Sequence, residues 1–193
     1  MVRGGQVRID FENGRRHVNM SRDEWKLLFD QAGIPNTRWD EMLGCLEDWQ
    51  DENDEHGLNG AESDDSFYVK REYECKNAPI DTVDELLLIK NWGAEVLYGT
   101  PPEELEDTDD PILGLADQLT VWGDGKINPN SATMEVLNSV STLSDDKIAS
   151  IIEWRLGLDG IPGTKDDGIT PDDFNALGLD SSLFSLVPDY VCL

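Results

Sequence analysis

Carboxylates are the side chains dense enough in this chain to do chemistry. Between Glu47 and Asp65, nine of nineteen residues are Asp or Glu, and none is Lys or Arg. Asp51, Asp54, Glu62, Asp64 and Asp65 share that stretch with Gly57, Asn59 and Gly60, which rule out a continued helix and make it a long loop. Calcium takes about six to eight hard oxygens, and a flexible loop of Asp, Glu and backbone carbonyls can supply them. A second set, Asp159, Asp166 and Asp167, stands in the run Leu158 to Gly168, where glycines let carbonyls curl inward. The EF-hand pattern fits neither loop, so no ligand register follows. A solvated acidic surface is the alternative reading of both.

Catalytic chemistry finds little support. His17 and His56 are the two histidines, and neither has a nucleophile at a recognisable spacing. No GxSxG, P-loop or HExxH occurs. Paired carboxylates abound, but in so acidic a chain their abundance does not indicate a glycosidase. The expectation is a protein that is not an enzyme.

Across 193 residues, 41 acids against 15 bases give a formal charge of −26. That field repels nucleic-acid phosphate and anionic membrane surfaces and attracts cations. The apolar fraction of 38% with six tryptophans supports a globular chain with a real core. Cys45, Cys75 and Cys192 show no zinc spacing. They fit one disulfide plus a free thiol, with Cys45–Cys75 the better pair in an exported protein, or three ordinary thiols. No window approaches the roughly 18–20 apolar residues of a membrane span. Met1-Val2-Arg3-Gly4-Gly5 is not a secretory signal, so either the protein is cytoplasmic or its natural N-terminus lies elsewhere.

The elements that must position the acids can be read in order. Val7, Ile9 and Phe11 alternate, Glu12-Asn13-Gly14-Arg15 carries a turn signal, and Arg16 to Val18 returns extended, which predicts a β-hairpin. Ser21-Arg22-Asp23-Glu24 is a capping box, followed by the stripe Trp25, Leu28, Phe29 and Ala32. Gly33-Ile34-Pro35 ends that helix. A second starts at Thr37, with Trp39, Met42, Leu43, Leu46 and Trp49 on its apolar face. Phe67 to Tyr73 reads as a short irregular strand. Thr82-Val83-Asp84-Glu85 is a second capping box, and Ala94 to Tyr98 a short helix ending at Gly99. Pro101 to Asp117 is an acidic linker, Leu119 to Trp122 a strand. Asn128 to Thr133 caps a helix carrying Val136, Leu137 and Val140. Ser144 starts another, with Ile148, Ile151, Ile152 and Arg155 at helical spacing. Thr170-Pro171-Asp172-Asp173 caps a short helix, and Leu183 to Val191 reads as a strand without an obvious partner.

Three of these helix starts align: Ser21 with Trp25, Thr82 with Leu86, and Thr133 with Leu137. Each has a Ser/Thr cap, an acid two residues later and a large apolar side chain at the fifth position. Their intervals of 61 and 51 residues (21 to 82, 82 to 133) are too irregular for a solenoid. Three ordinary capped helices are the plainer alternative.

The third unit, Asn128 to Arg155, resembles a helix-hairpin-helix module of competence-type DNA-binding proteins. Its turn, Ser141-Thr142-Leu143-Ser144, lacks the family's Gly-x-Gly, and no basic cluster stands beside it. A nucleic-acid-binding module is therefore the second functional reading, with the charge against it.

The order of features is more specific. It comprises the Glu12-Asn13-Gly14-Arg15 turn, Val18-Asn19-Met20, the helical pair ending Leu46-Glu47-Asp48-Trp49-Gln50-Asp51, and Gly60-Ala61-Glu62-Ser63-Asp64 before Tyr68. Ala78-Pro79-Ile80-Asp81-Thr82-Val83-Asp84-Glu85-Leu86 and Leu119-Thr120-Val121-Trp122-Gly123-Asp124-Gly125 complete the set. Over residues 6 to 186 this is similar to the K subunit of the type II secretion pseudopilus, the general secretion pathway protein K family. The resemblance implies an α+β fold, with a small pilin-like antiparallel sheet interrupted by a large helical insertion of helix-hairpin-helix-like (SAM-like) units. The β part would comprise residues 1–20, 118–126 and 183–193. The helical insertion with its acidic loop would span 21–117, and a helix-hairpin-helix-like unit with the Asp/Gly loop 127–182. It further implies a minor pseudopilin at the pseudopilus tip, assembling with I and J type pseudopilins, with calcium in its acidic loops. The location would be the periplasmic face of the inner membrane. The family's leader and long apolar N-terminal helix are missing from this chain, and that helix would be its only membrane contact.

Overall fold

The computed structural model describes residues 12–105 and 111–187. Helices dominate, joined by a minimal sheet, so the broad α+β expectation holds. In chain order the elements are β1 (Arg16–His17), α1 (Arg22–Gln31), α2 (Trp39–Gln50), α3 (Ser66–Val69), α4 (Ala94–Tyr98), β2 (Leu119–Thr120), α5 (Met134–Asn138), α6 (Asp145–Trp154) and α7 (Pro171–Ala176).

Helix α1 forms for the reasons its sequence gives. The Ser21 hydroxyl accepts from Glu24 N while the Glu24 carboxylate accepts from Ser21 N, a complete capping box. Trp25, Leu28, Phe29 and Ala32 all bury. Gly33, at φ +73°, ends the helix in the left-handed region that glycine adopts at little cost. A single-turn 3-10 segment, Asn36–Arg38, precedes α2, which begins at Trp39. Met42, Leu43, Leu46 and Trp49 pack inward, and Trp92 stacks edge-on against Trp25 and Phe29. This first core runs from Val18 to Leu119, whereas a second, from Ile127 to Phe184, gathers Val136, Leu137, Val140, Ile148 and Ile151.

Several elements differ from expectation. The stretch from Phe67 is helical, not a strand. The Asp65 carboxylate caps it by accepting from Phe67 N, and Tyr68 N and Val69 N donate to Asp65 O. A good N-cap outweighs the β preference of three aromatics spread over a few residues. Thr82 starts a 3-10 turn, Val83–Leu88, but makes no side-chain cap. Its would-be box partner Glu85 is taken up elsewhere, accepting from Trp49 Nε1 at 2.8 Å, Lys76 Nζ at 2.9 Å and Asp81 N at 3.0 Å.

The sheet also departs from expectation. Glu12–Gly14 is a 3-10 turn closed by Arg15 N on Glu12 O, and the expected hairpin's first strand lies outside the described residues. Strand β1 pairs with β2 in parallel, Arg16 with Leu119 and His17 with Thr120. A parallel pair needs a long crossover, and the helices between the two strands supply it. The expected strand from Leu183 reduces, within the described residues, to one parallel bridge between Phe184 and Ile127. Pairings among the described residues are thus parallel, where an antiparallel sheet was anticipated. Asn13 ties the two cores together: its carbonyl accepts from Asn128 N at 2.6 Å, and its side-chain oxygen accepts from the Ser131 hydroxyl.

Candidate metal centre

Helix α2 and the loop after it meet at three carboxylates. Asp48 lies in the last turn of α2, and Asp51, three residues on, is the residue that caps its C-terminal end. Glu62 approaches from the far end of the loop. One oxygen from each of the three lies within 4.8 Å of the others. Asp48 and Glu62 are almost fully buried, at 2% and 1% exposure.

Glycines build the pocket around Asp48. Gly57 N donates to both of its carboxylate oxygens, at 3.1 and 3.2 Å. A Cβ at Gly57 would stand 2.5 Å from Oδ1, and one at Gly60 would stand 2.1 Å from Oδ2. The sequence thus uses glycine where the backbone passes directly over a carboxylate. Two buried thiols peg the same strand of loop: Cys45 Sγ donates to Asn59 O and Cys75 Sγ to Ala61 O. Burial pushes these thiols up to about 12 and about 11, so they stand as unreactive donors and both are unpaired.

The electrostatics of this cluster are unfavourable as the protein alone provides them. Both oxygens of Glu62 are buried without a hydrogen-bond partner. Burial raises its carboxyl pKa, and the charges of Asp48, Asp51 and Asp54 raise it further. Burial likewise raises Asp48, against the lowering effect of the Gly57 N–H. At an effective dielectric of about 20, two carboxylates about 5 Å apart repel by roughly 3 kcal/mol. A buried, unpartnered carboxylate costs several kcal/mol more unless it is neutralised. An all-oxygen, anionic pocket of this kind fits a hard divalent cation, with Asp48, Asp51 and Glu62 as protein ligands.

The other residues expected in the first site are used differently. Asp54 accepts from Asn77 Nδ2 at 2.9 Å. Asp64 pairs with His56 at 2.7 Å, which raises the imidazole. Asp65 caps α3 and pairs with Lys90 at 2.8 Å, a contact that holds its carboxyl low. Asp48 was missed as a ligand because it sits on the helix and not in the loop. The i, i+3 relation to Asp51, facing two loop glycines, is the signal that could have found it.

Asp159, Asp166 and Asp167 do come together, exposed at the surface. Asp166 Oδ2 accepts from Leu158 N, and Asp167 Oδ2 accepts from Gly163 N. The Thr164 hydroxyl lies within 3.3 Å of all three carboxylates, yet its single proton can serve only one. That hydroxyl is the main cause of the lowered Asp166 pKa.

Residues 10–100, just under half of the chain, match the family model for type II secretion system protein K. Over that stretch the chain is similar to type II secretion system protein K. The match contains the whole Asp48–Asp51–Glu62 cluster and stops before the Asp159–Asp167 loop. A search of curated proteins finds no match. That similarity supports a role in type II secretion and protein transport, and an envelope location. No described helix is long and apolar enough to cross a membrane.

Proposed function

We propose that this chain is a non-enzymatic tip subunit, a minor pseudopilin of the type II secretion pseudopilus, that assembles with I and J type pseudopilins. Calcium, in this reading, is a structural ion held by Asp48, Asp51 and Glu62, with Asp159, Asp166 and Asp167 as a second, exposed site. The family match carries the assembly role. For calcium the supporting observation is Glu62, buried with both oxygens unpartnered in an all-carboxylate pocket. An ion there would pin the end of α2 to the far end of the acidic loop, so it would order the fold and perform no chemistry. Anchorage at the periplasmic face of the inner membrane through an N-terminal helix belongs to the same proposal.

The nucleic-acid reading gains nothing. Helices α5 and α6 do pack together, but Asp145 and Asp146 occupy the first turn of α6, where a phosphate contact would require neutral or basic groups.

Two measurements test the proposal. Co-expression with I and J type pseudopilins should yield a co-purifying complex, and separate elution of all three would reject the assembly role. Calcium at about 100 times its Kd should stabilise the protein by about 2.7 kcal/mol, reversibly with EDTA. Melting curves that ignore both additions would reject the ion.

A further inference from the structure

A recess of about 450 Å³ opens between α3 and the N-terminal end of α4, lined by Arg38, Phe67, Arg71, Trp92, Gly93 and Glu95 among others. Its charge is opposite in sign to that of the chain as a whole. Two guanidiniums face one carboxylate, within a chain of formal charge −26. Arg38 is satisfied internally: its Nη2 donates to Glu95 Oε1 at 2.9 Å and to Asn91 O at 3.4 Å. Arg71 is not. Its guanidinium carbon lies 3.7 Å from the Phe67 ring centre, and Nη1 donates to Phe67 O at 3.2 Å. It has no carboxylate partner among the described residues. Stacking restrains the guanidinium, and among the described residues its other N–H groups have no acceptor, which leaves them available to recognise a carboxylate bidentately.

Two non-glycine residues next to these arginine contacts adopt left-handed backbone. Glu72, directly after Arg71, has φ +60°, and Asn91, whose carbonyl holds Arg38, has φ +69°. For a non-glycine residue such as Glu72 this conformation costs about 1 kcal/mol or more and persists where surrounding contacts impose it. Here it turns the chain sharply after α3, so that Glu72 and Glu74 border a separate recess and stay out of this one.

We propose that this recess is a protein-docking surface that takes an Asp or Glu side chain of a partner, flanked by an apolar residue. Arg71 is the anchor, and Phe67 and Trp92 form the floor. Charge complementarity selects the occupant. At physiological ionic strength fields fade over about 8 Å, so an approaching carboxylate responds to the two arginines more than to distant acids.

The test is an NMR titration of the intact chain with the peptide acetyl-Ser-Glu-Leu-Glu-Ser-amide. Saturable shifts are expected at the backbone amides of Phe67, Arg71, Gly93 and Ala94, and the peptide with Gln replacing Glu should produce none. Arg71→Gln should weaken the Glu peptide about tenfold or more, with an unchanged melting curve. Lys165→Glu, on the distant Asp/Gly loop, should leave binding unaltered. No shifts at these amides, equal shifts from the Gln peptide, or equal affinity in Arg71→Gln would each overturn the proposal. So would equal shifts from inorganic phosphate, which would mark a general anion site.

Discussion

Gly60 lies directly over the Asp48 carboxylate, where a Cβ would stand 2.1 Å from Oδ2. The glycine has no left-handed φ to preserve, so its role is to leave room. Gly60→Ala should therefore act through Asp48. The carboxylate, nearly buried, would have to turn away from Asp51 and Glu62. The expected result is a calcium-induced rise in Tm cut by at least half and a calcium midpoint shifted about tenfold upward. Calorimetry on the wild type and variant, each with calcium and with EDTA, checks it. An unchanged calcium response would show that the carboxylate has another way to reach the ion.

Glu62→Gln should change sign with the conditions. Without calcium it removes one of three crowded negative charges and the desolvation of a buried anion, so the variant should be more stable than wild type by about 1–3 kcal/mol. With calcium it loses an anionic ligand and should gain little from the ion. Denaturant midpoints measured with EDTA and with calcium therefore cross over. A variant less stable than wild type in both conditions would mean that Glu62 serves packing and not an ion.

The helices and their buried faces were legible in the sequence because they are local: a capping residue, a 3.6-residue stripe and a terminating glycine marked α1 almost to the residue, and the Thr133 cap marked the start of α5. Strand pairing was not, because β1 and β2 each span two residues and meet across the helices between them. Two residues carry no alternation pattern, and nothing local records that the pairing is parallel. The candidate ion site was half legible. Composition located the loop, and Asp51 and Glu62 stood among the expected ligands, but it could not say which acids turn inward. Asp64 and Asp65 were claimed by His56 and by Lys90 and the α3 cap, partners that local sequence does not pair with them. Asp48 was hidden by its place on a helix, and only its packing beneath Gly57 and Gly60 brings it to the centre.

The three aligned helix starts should separate under mutation. Ser21 and Thr133 accept hydrogen bonds from the first turns of α1 and α5, whereas Thr82 makes no side-chain cap. Ser21→Ala and Thr133→Ala should each cost about 1 kcal/mol, and Thr82→Ala no more than a few tenths. Urea midpoints for the three variants provide the comparison. Equal losses at all three would mean that Thr82 does cap its turn in solution, and that the sequence repeat is a structural one.

Glu24 supplies a pH-dependent contribution that can be isolated. Burial alone would raise its carboxyl, but the Ser21 backbone and hydroxyl donors together with Arg16 outweigh that and bring it below the ordinary glutamate value of 4.5. Arg16 is itself buried, with its side chain 4% exposed and its Nη2 donating to Glu24 Oε1 at 2.6 Å. A lowered carboxyl in the folded state stabilises the protein above the unfolded value and loses that contribution as pH falls through the folded one. Glu24→Gln keeps a capping acceptor but gives up the charge facing Arg16, so near neutral pH it should cost about 1–2 kcal/mol. The gap should persist down to about pH 4.5 and close below it, as the wild-type carboxyl takes up its proton. Stability measured for both proteins from pH 7 down to pH 3, in EDTA so that no ion contributes, reads the gap directly. A gap that stays constant across the range would assign the loss to packing around Arg16 and not to the charge on Glu24.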